Sequence, residues 1–247
     1  MDIVDEARAL LAEKGDAGRA AENKKYFKSP FLFLGVTKKD INAIGGKLKR
    51  RLKGTKQEDL LGVLQELWSS GVHEEMSLAV VLAALFVENF CADDVKEVFS
   101  TWLDECQTWD HIDELCIRVT GRLALNDASL WPVIEGWATS EHMWKRRAAL
   151  ISHLPAIRAQ SAYIESLERT CRTLAGEREF FIRKAIGWVL REFADHNRDR
   201  MVTVFQRIGK DLSSLTQREA TRKLDPAIRE ALLGPTKQRA ARVARGT

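Results

Sequence analysis

The chain has 247 residues, enough for one sizeable core or a continuous array of packed helices. Hydrophobic residues make up 45% and charged residues 30%, a globular balance that excludes a disordered or fibrous chain. The formal net charge is +4, and Lys237, Arg239, Arg242 and Arg245 at the C-terminus equal that whole excess, so the rest can attract nucleic acid only through segregated charge.

Helix is read nearly throughout, because only 5 prolines and 15 glycines interrupt the chain and no run of alternating β-branched residues occurs. The first segment, roughly 2–14 in MDIVDEARALLAEKG, carries acids early and lacks the basic-then-apolar order of a signal peptide, so a cytoplasmic location is expected. Further helices are predicted over 38–53, 57–70, 74–88, 93–106, 109–125 and 127–138, then over 141–157, 161–175, 178–194, 197–209 and 215–232. Thr37 ahead of Asp40, Thr55 to Glu58 in capping-box form, and Ser140 ahead of Met143 mark three starts. Leu78 to Val87 is the longest apolar run, well short of the ~18 residues of a membrane span, and reads as a buried helix. Helices of this length joined by short links predict stacked helical hairpins. The expected architecture is therefore all-α, a HEAT-like helical-repeat solenoid over 1–232 followed by a basic, flexible tail at 233–247.

Cys91, Cys106, Cys116 and Cys171 are scattered and form no CxxC pair, so buried reduced thiols are expected. The five histidines show no HExxH or related spacing, and neither a metal nor another cofactor is expected.

Four residues stand out against this background. Trp109 and Asp113 are four apart and share one helix face. Asp110 needs no function, since an acid in the first turn suits the helix dipole. Arg147 follows Trp144 by three and precedes Ile151 by four, so it interrupts an apolar stripe; either it pairs with a buried acid or it faces a phosphate-binding groove. Trp188 lies outside the stripe of Ile182, Ala185, Ile186, Val189 and Phe193 and is bracketed by Lys184 and Arg191, an aromatic–basic pattern that suits either packing or nucleic-acid contact. Asp113, Arg147 and Trp188 are separated by 34 and 41 residues, near the period of a two-helix repeat. Such a register would set one carboxylate, one guanidinium and two indoles on a single concave face, a combination suited to a cationic aromatic group on an anionic backbone.

The segments YFKSPFLFLGV (26–36), TWDHID (108–113), WKRRAAL (144–150), FFIRKAIGWVLRE (180–192) and LTQREATRKL (215–224) resemble, in order, the AlkD-like family of DNA glycosylases. The resemblance runs over roughly residues 20–225 and implies an all-α solenoid that holds duplex DNA on its concave face and excises N3- and N7-alkylated purines. It makes Asp113 the catalytic carboxylate and Arg147 its charged neighbour, with Trp109 and Trp188 flanking the damaged nucleotide. The family commonly has a second tryptophan before Trp109, where this chain has Thr108. Tyr26, Lys28, Lys145, Arg146, Lys184, Arg191, Arg218, Arg222 and Lys223 form the expected DNA-binding set.

Cationic purines are already good leaving groups, which fits a cleft with one key carboxylate and no acid–base pair. No lysine is placed as a Schiff-base nucleophile, so hydrolysis without lyase action is expected. A monomer working on double-stranded DNA, associated with the nucleoid and not with a membrane, completes the expectation. A non-catalytic DNA-binding relative and a protein-interaction scaffold are the alternatives.

Overall fold

The computed structural model describes residues 2–160 and 164–234. The tail expected at 233–247 lies almost wholly outside the described residues. Contacts divide the chain into two compact units, Met1–Leu130 and Trp131–Thr247. Both are helical. Among the described residues the only β pairing is an isolated parallel bridge between Leu32 and Val72.

The first unit opens with α1 (Ile3–Lys14), α2 (Ala17–Phe27), α3 (Lys38–Arg51), α4 (Gln57–Trp68) and α5 (His73–Leu85). Apolar residues on nearly every side of α5 place it at the centre, with Leu78, Ala79, Val80, Leu82 and Ala83 buried as the apolar run predicted. It packs on α3 and α4 and carries α8 (Trp109–Leu115) on another side. Between them, α6 (Ala92–Asp94) continues through a π turn at Val95–Phe99 into α7 (Ser100–Glu105). In the same way α8 runs through a π turn at Cys116–Thr120 into α9 (Gly121–Asn126).

Paired helices repeat along this unit. Trp68 donates through Nε1 to Glu105 at 2.6 Å, while Trp102 donates to Gln65 at 2.8 Å; each partner lies 37 residues away. Their indoles stack at 4.4 Å with planes 2° apart, and both are fully buried. The second unit shows a similar period, with Arg158 bound to Glu192 and Arg169 to Glu135, each across 34 residues.

The second unit comprises α10 (Trp131–Gly136), α11 (Met143–Ile151), α12 (Leu154–Arg158), α13 (Ile164–Thr173), α14 (Phe180–His196), α15 (Arg198–Ile208), α16 (Ser214–Ala220) and α17 (Pro226–Leu233). Its core helix is α14, whose Ile182, Ala185, Ile186, Val189 and Phe193 are all buried as the stripe predicted. Gly187 sets the α14–α16 distance, since a Cβ there would lie 2.6 Å from Glu219 Cβ.

Several boundaries differ from expectation for identifiable reasons. No residue of α2 is fully buried, so AGRAAENKKYF lacked the apolar stripe that reveals a helix. The segments 141–157 and 215–232 each split in two, because Pro155 and Pro226 carry no N–H for a continuing helix and instead sit in the first turn of α12 and α17. Thr37 caps α3 by accepting from the Asp40 amide at 3.1 Å, whereas Lys56, not Thr55, is the N-cap of α4 and no side-chain cap bond forms there. Ser140 stands two residues ahead of the His142 N-cap and accepts its amide at 3.1 Å. Cys106, Cys116 and Cys171 are buried as expected, but Cys91 is exposed.

Candidate active site

A cavity of about 300 Å³ opens in the first unit where α2, α3, α5 and α8 converge. Trp109 and Asp113, one helical turn apart on α8, both line it. Asp113 is 8% exposed and Trp109 half-buried, so the carboxylate is largely withdrawn from water while the indole edges the opening. The shared face read from the four-residue spacing is therefore realised as one wall.

The rest of the lining was not legible in the sequence. Phe27 from α2 brings its ring centroid 5.8 Å from that of Trp109 and 5.1 Å from that of His73. Lys38 from α3 reaches across to Glu114 at 2.5 Å, a separation of 76 residues. Glu74, buried at 1% exposure, accepts the Leu34 and Gly35 amides at 2.9 and 2.8 Å and so clamps the link before α3 onto α5. Gly35 is required at this clamp: its φ is +75°, and a Cβ would come within 2.2 Å of the Asp16 carbonyl oxygen.

Asp110 does more than complement the helix dipole. Its Oδ2 lies 2.9 Å from His73 Nε2 at the start of α5. Burial alone would raise its pKa, but the adjoining His73 and His111 outweigh that and hold the carboxyl well below the usual carboxylate range. His111 is fully buried, which drives its pKa down to about 4 and keeps it neutral. It sits 2.9 Å from Ser77 Oγ, 3.1 Å from the His73 carbonyl and 3.2 Å from Thr108 Oγ1. Thr108 is thus a buried hydroxyl on the His111 ring. These bonds dock α8, and with it Trp109 and Asp113, onto α5.

In the second unit Arg147 is 6% exposed, and its Nη1 donates to the Phe181 carbonyl oxygen at 2.8 Å, tying α11 to the start of α14. Trp188 is half-buried on α14, away from the core stripe. Glu219 of α16 gathers the cations beside it: Lys184 at 2.8 Å, Arg222 at 3.5 Å, and Arg191 in close contact. Hydrogen bonding from Lys184 and the surrounding cations outweigh burial and lower the Glu219 pKa. Lys223 pairs with Asp195. Arg146 is spent as a clamp, donating to Glu177 at 2.7 Å and to the Ser140 and Glu141 carbonyls. Arg218 is exposed and Lys145 half-buried. At the other end of the expected set, Tyr26 is 68% exposed at the end of α2, and Lys28 beside it is an exposed left-handed cap with φ 51°.

No curated protein matches the chain. Among solved structures, a predicted DNA alkylation repair enzyme from Enterococcus faecalis shares the fold with a TM-score of 0.76 and 24% identity, over 86% of this chain and 98% of that one. The family of DNA alkylation repair enzymes matches residues 7–224, which hold the cavity and every residue singled out in both units. The chain belongs to that family, and its place is therefore in DNA repair.

Proposed function

We propose that the protein is a monofunctional DNA glycosylase that hydrolyses the N-glycosidic bond of cationic N3- and N7-alkylated purines in duplex DNA. The observation that carries this reading is the placement of a buried carboxylate, Asp113, and an aromatic wall, Trp109 with Phe27, on one cavity. An alkylated purine needs no protonation to leave. Its departure develops oxocarbenium character on the deoxyribose, as in glycoside hydrolysis generally. Asp113 stabilises that charge and positions or deprotonates the water that attacks C1′. Trp109 in the first unit and Trp188 in the second are each assigned to stacking and cation–π contact with the damaged nucleotide, a contact worth on the order of 0.5–2 kcal/mol. Arg147 is assigned either to a phosphate of the duplex, through its planar donor fork, or to orienting the catalytic carboxylate. The exposed cations Lys28 and Arg218 add phosphate contacts that position the duplex without reading its sequence.

The reading is tested by incubating the protein with duplex DNA containing 7-methylguanine and cleaving abasic sites with alkali. Release of free base, with strand scission only after alkali, is the expected result. Scission without alkali would reveal lyase action, and tight duplex binding without base release would leave a non-catalytic DNA-binding protein.

A further inference from the structure

We propose that Glu219 is a positioning residue: its carboxylate holds Lys184, Arg191 and Arg222 in one fixed constellation beside Trp188, and that constellation meets a phosphate of the damaged strand. The proposal rests on the glycosylase reading above and adds to it how the second unit offers its charge. The groups concerned lie on α14, on α16 and in the turn that follows α16.

Lys184 and Arg191 stand four residues before and three after Trp188 on α14, so all three share one helix face. Glu219 reaches this face from α16. Its Oε2 accepts from Lys184 Nζ at 2.8 Å, while its Oε1 meets Arg191 in close contact and lies 3.5 Å from Arg222. The backbone, and not the cations alone, fixes where the carboxylate sits. The Glu219 stem lies against Gly187, the neighbour of Trp188, where a Cβ would come 2.6 Å from Glu219 Cβ and 2.8 Å from its Cγ. Thr216, one turn earlier on α16, donates to the Arg183 carbonyl at 3.2 Å and docks the same helix.

An acid in this place works against DNA binding, since it lowers the local positive charge. What it gives in return is order. Three cations gathered without a counter-charge repel one another, and their long stems would spread them over many rotamers. Glu219 and Arg191 are mostly buried, whereas Lys184 and Arg222 keep 39% and 60% of their side chains exposed. An ammonium and two guanidiniums carry more N–H donors than one carboxylate can accept, so donors are left over for phosphate oxygens. Donors set in place before the duplex arrives hold the strand more precisely than free ones. Precise placement of the nucleotide beside Trp188 is what the proposed hydrolysis needs.

The test compares the full chain with Glu219→Gln, which keeps the shape and removes the charge. Single-turnover release of 7-methylguanine, thermal melting, and binding to an intact duplex and to one with a tetrahydrofuran abasic analogue are measured for each. Glu219→Gln should bind intact duplex about two- to fivefold more tightly at low salt, yet release base about tenfold more slowly at saturating protein. It should also lose the wild-type preference for the abasic analogue and melt within a few degrees of wild type. Gly187→Ala displaces the same carboxylate at unchanged charge and should slow release without tightening binding. Glu168→Gln, which frees Arg172 and Arg207 elsewhere in the unit, should release base at the wild-type rate. Release by Glu219→Gln at or above the wild-type rate would make Glu219 a mere counter-charge. Release, binding and melting all falling together would make it a staple between α14 and α16, and either result overturns the proposal. If the wild type itself releases no base, the glycosylase reading fails on its own, and the change in preference for the abasic analogue still decides the role of Glu219.

Discussion

Replacing Asp113 by asparagine is the sharpest perturbation of the proposed chemistry, because it removes one charge and keeps the shape. Asp113 is 8% exposed and lines a cavity walled by Trp109 and Phe27, so its carboxylate acts in surroundings far less polarisable than water. For an effective dielectric constant of about 20, a unit charge at ~4 Å from the developing oxocarbenium is worth about 4 kcal/mol. Asparagine keeps a dipole there and recovers part of this. Excision of 7-methylguanine should therefore slow by about 10²–10³, the scale seen when one preorganised electrostatic group is lost. The assay is single-turnover base release from a labelled duplex at saturating protein, beside a melting curve and a binding isotherm on the same preparation. Both the melt and the duplex affinity should stay near wild type, since phosphate contacts carry most of the binding. Wild-type excision by Asp113→Asn would refute the assignment. Lost excision together with a collapsed melt would refute the claim that the residue acts in chemistry and not in packing.

Trp109→Ala and Trp188→Ala, both at half-buried positions, should lose excision while melting only a few degrees lower; Trp102→Ala, fully buried against Trp68, should cost about 3–5 kcal/mol, and equal melting losses in all three would show the first two to be core. Duplex affinity should fall steeply with salt, and because Glu219 pairs with Lys184, Arg191 and Arg222 and lowers their combined charge, Glu219→Gln should raise low-salt affinity; a flat salt dependence would count against DNA as the partner. His153 is buried, donates from Nδ1 to the Ala149 carbonyl and meets Ser166 Oγ through Nε2, and burial lowers its pKa from 6.5 to about 4. The unfolded chain then binds the extra proton first, so stability is full above pH 6.5 and falls as pH drops toward 4, by about 2 kcal/mol between pH 7 and pH 5. Urea unfolding at those two pH values should show this loss shrinking in His153→Asn, and an unchanged loss would refute the assignment.

The parts of the fold that could be read in advance are those where periodicity and burial coincide. The α14 stripe was visible because five apolar residues recur at helical spacing and all five are buried. The α5 run was visible because the helix is apolar on nearly every side. Where burial is slight the signal fails, as in α2, which contributes Phe27 to the cavity but buries no residue fully. The splits at Pro155 and Pro226 could have been drawn from the chemistry of proline. The π turns at Val95–Phe99 and Cys116–Thr120 could not, because inserting one residue into a helix leaves no mark on composition.

The site divides along similar lines. Trp109 and Asp113 share a wall because they share a helix, and a spacing of four is enough to say so. His73, Glu74 and Phe27 reach the same cavity from other helices, and no local spacing encodes that. One non-local signal did exist. His73 and His111 are 38 residues apart, close to the 37 of the reciprocal tryptophan pairs and the 34 of Ser77 and His111, so two stacked hairpins bring them to one level. Reading the polar residues at the repeat period, and not only the charged and aromatic ones, would have placed both imidazoles together. The basic residues show the opposite limit. Arg146, Lys184, Arg191 and Lys223 recur on the expected segments, yet Glu177, Glu219 and Asp195 meet them from elsewhere in the chain. Counting cations along a helix overstates the charge a surface offers, because their partners lie some 28–35 residues away, one hairpin along.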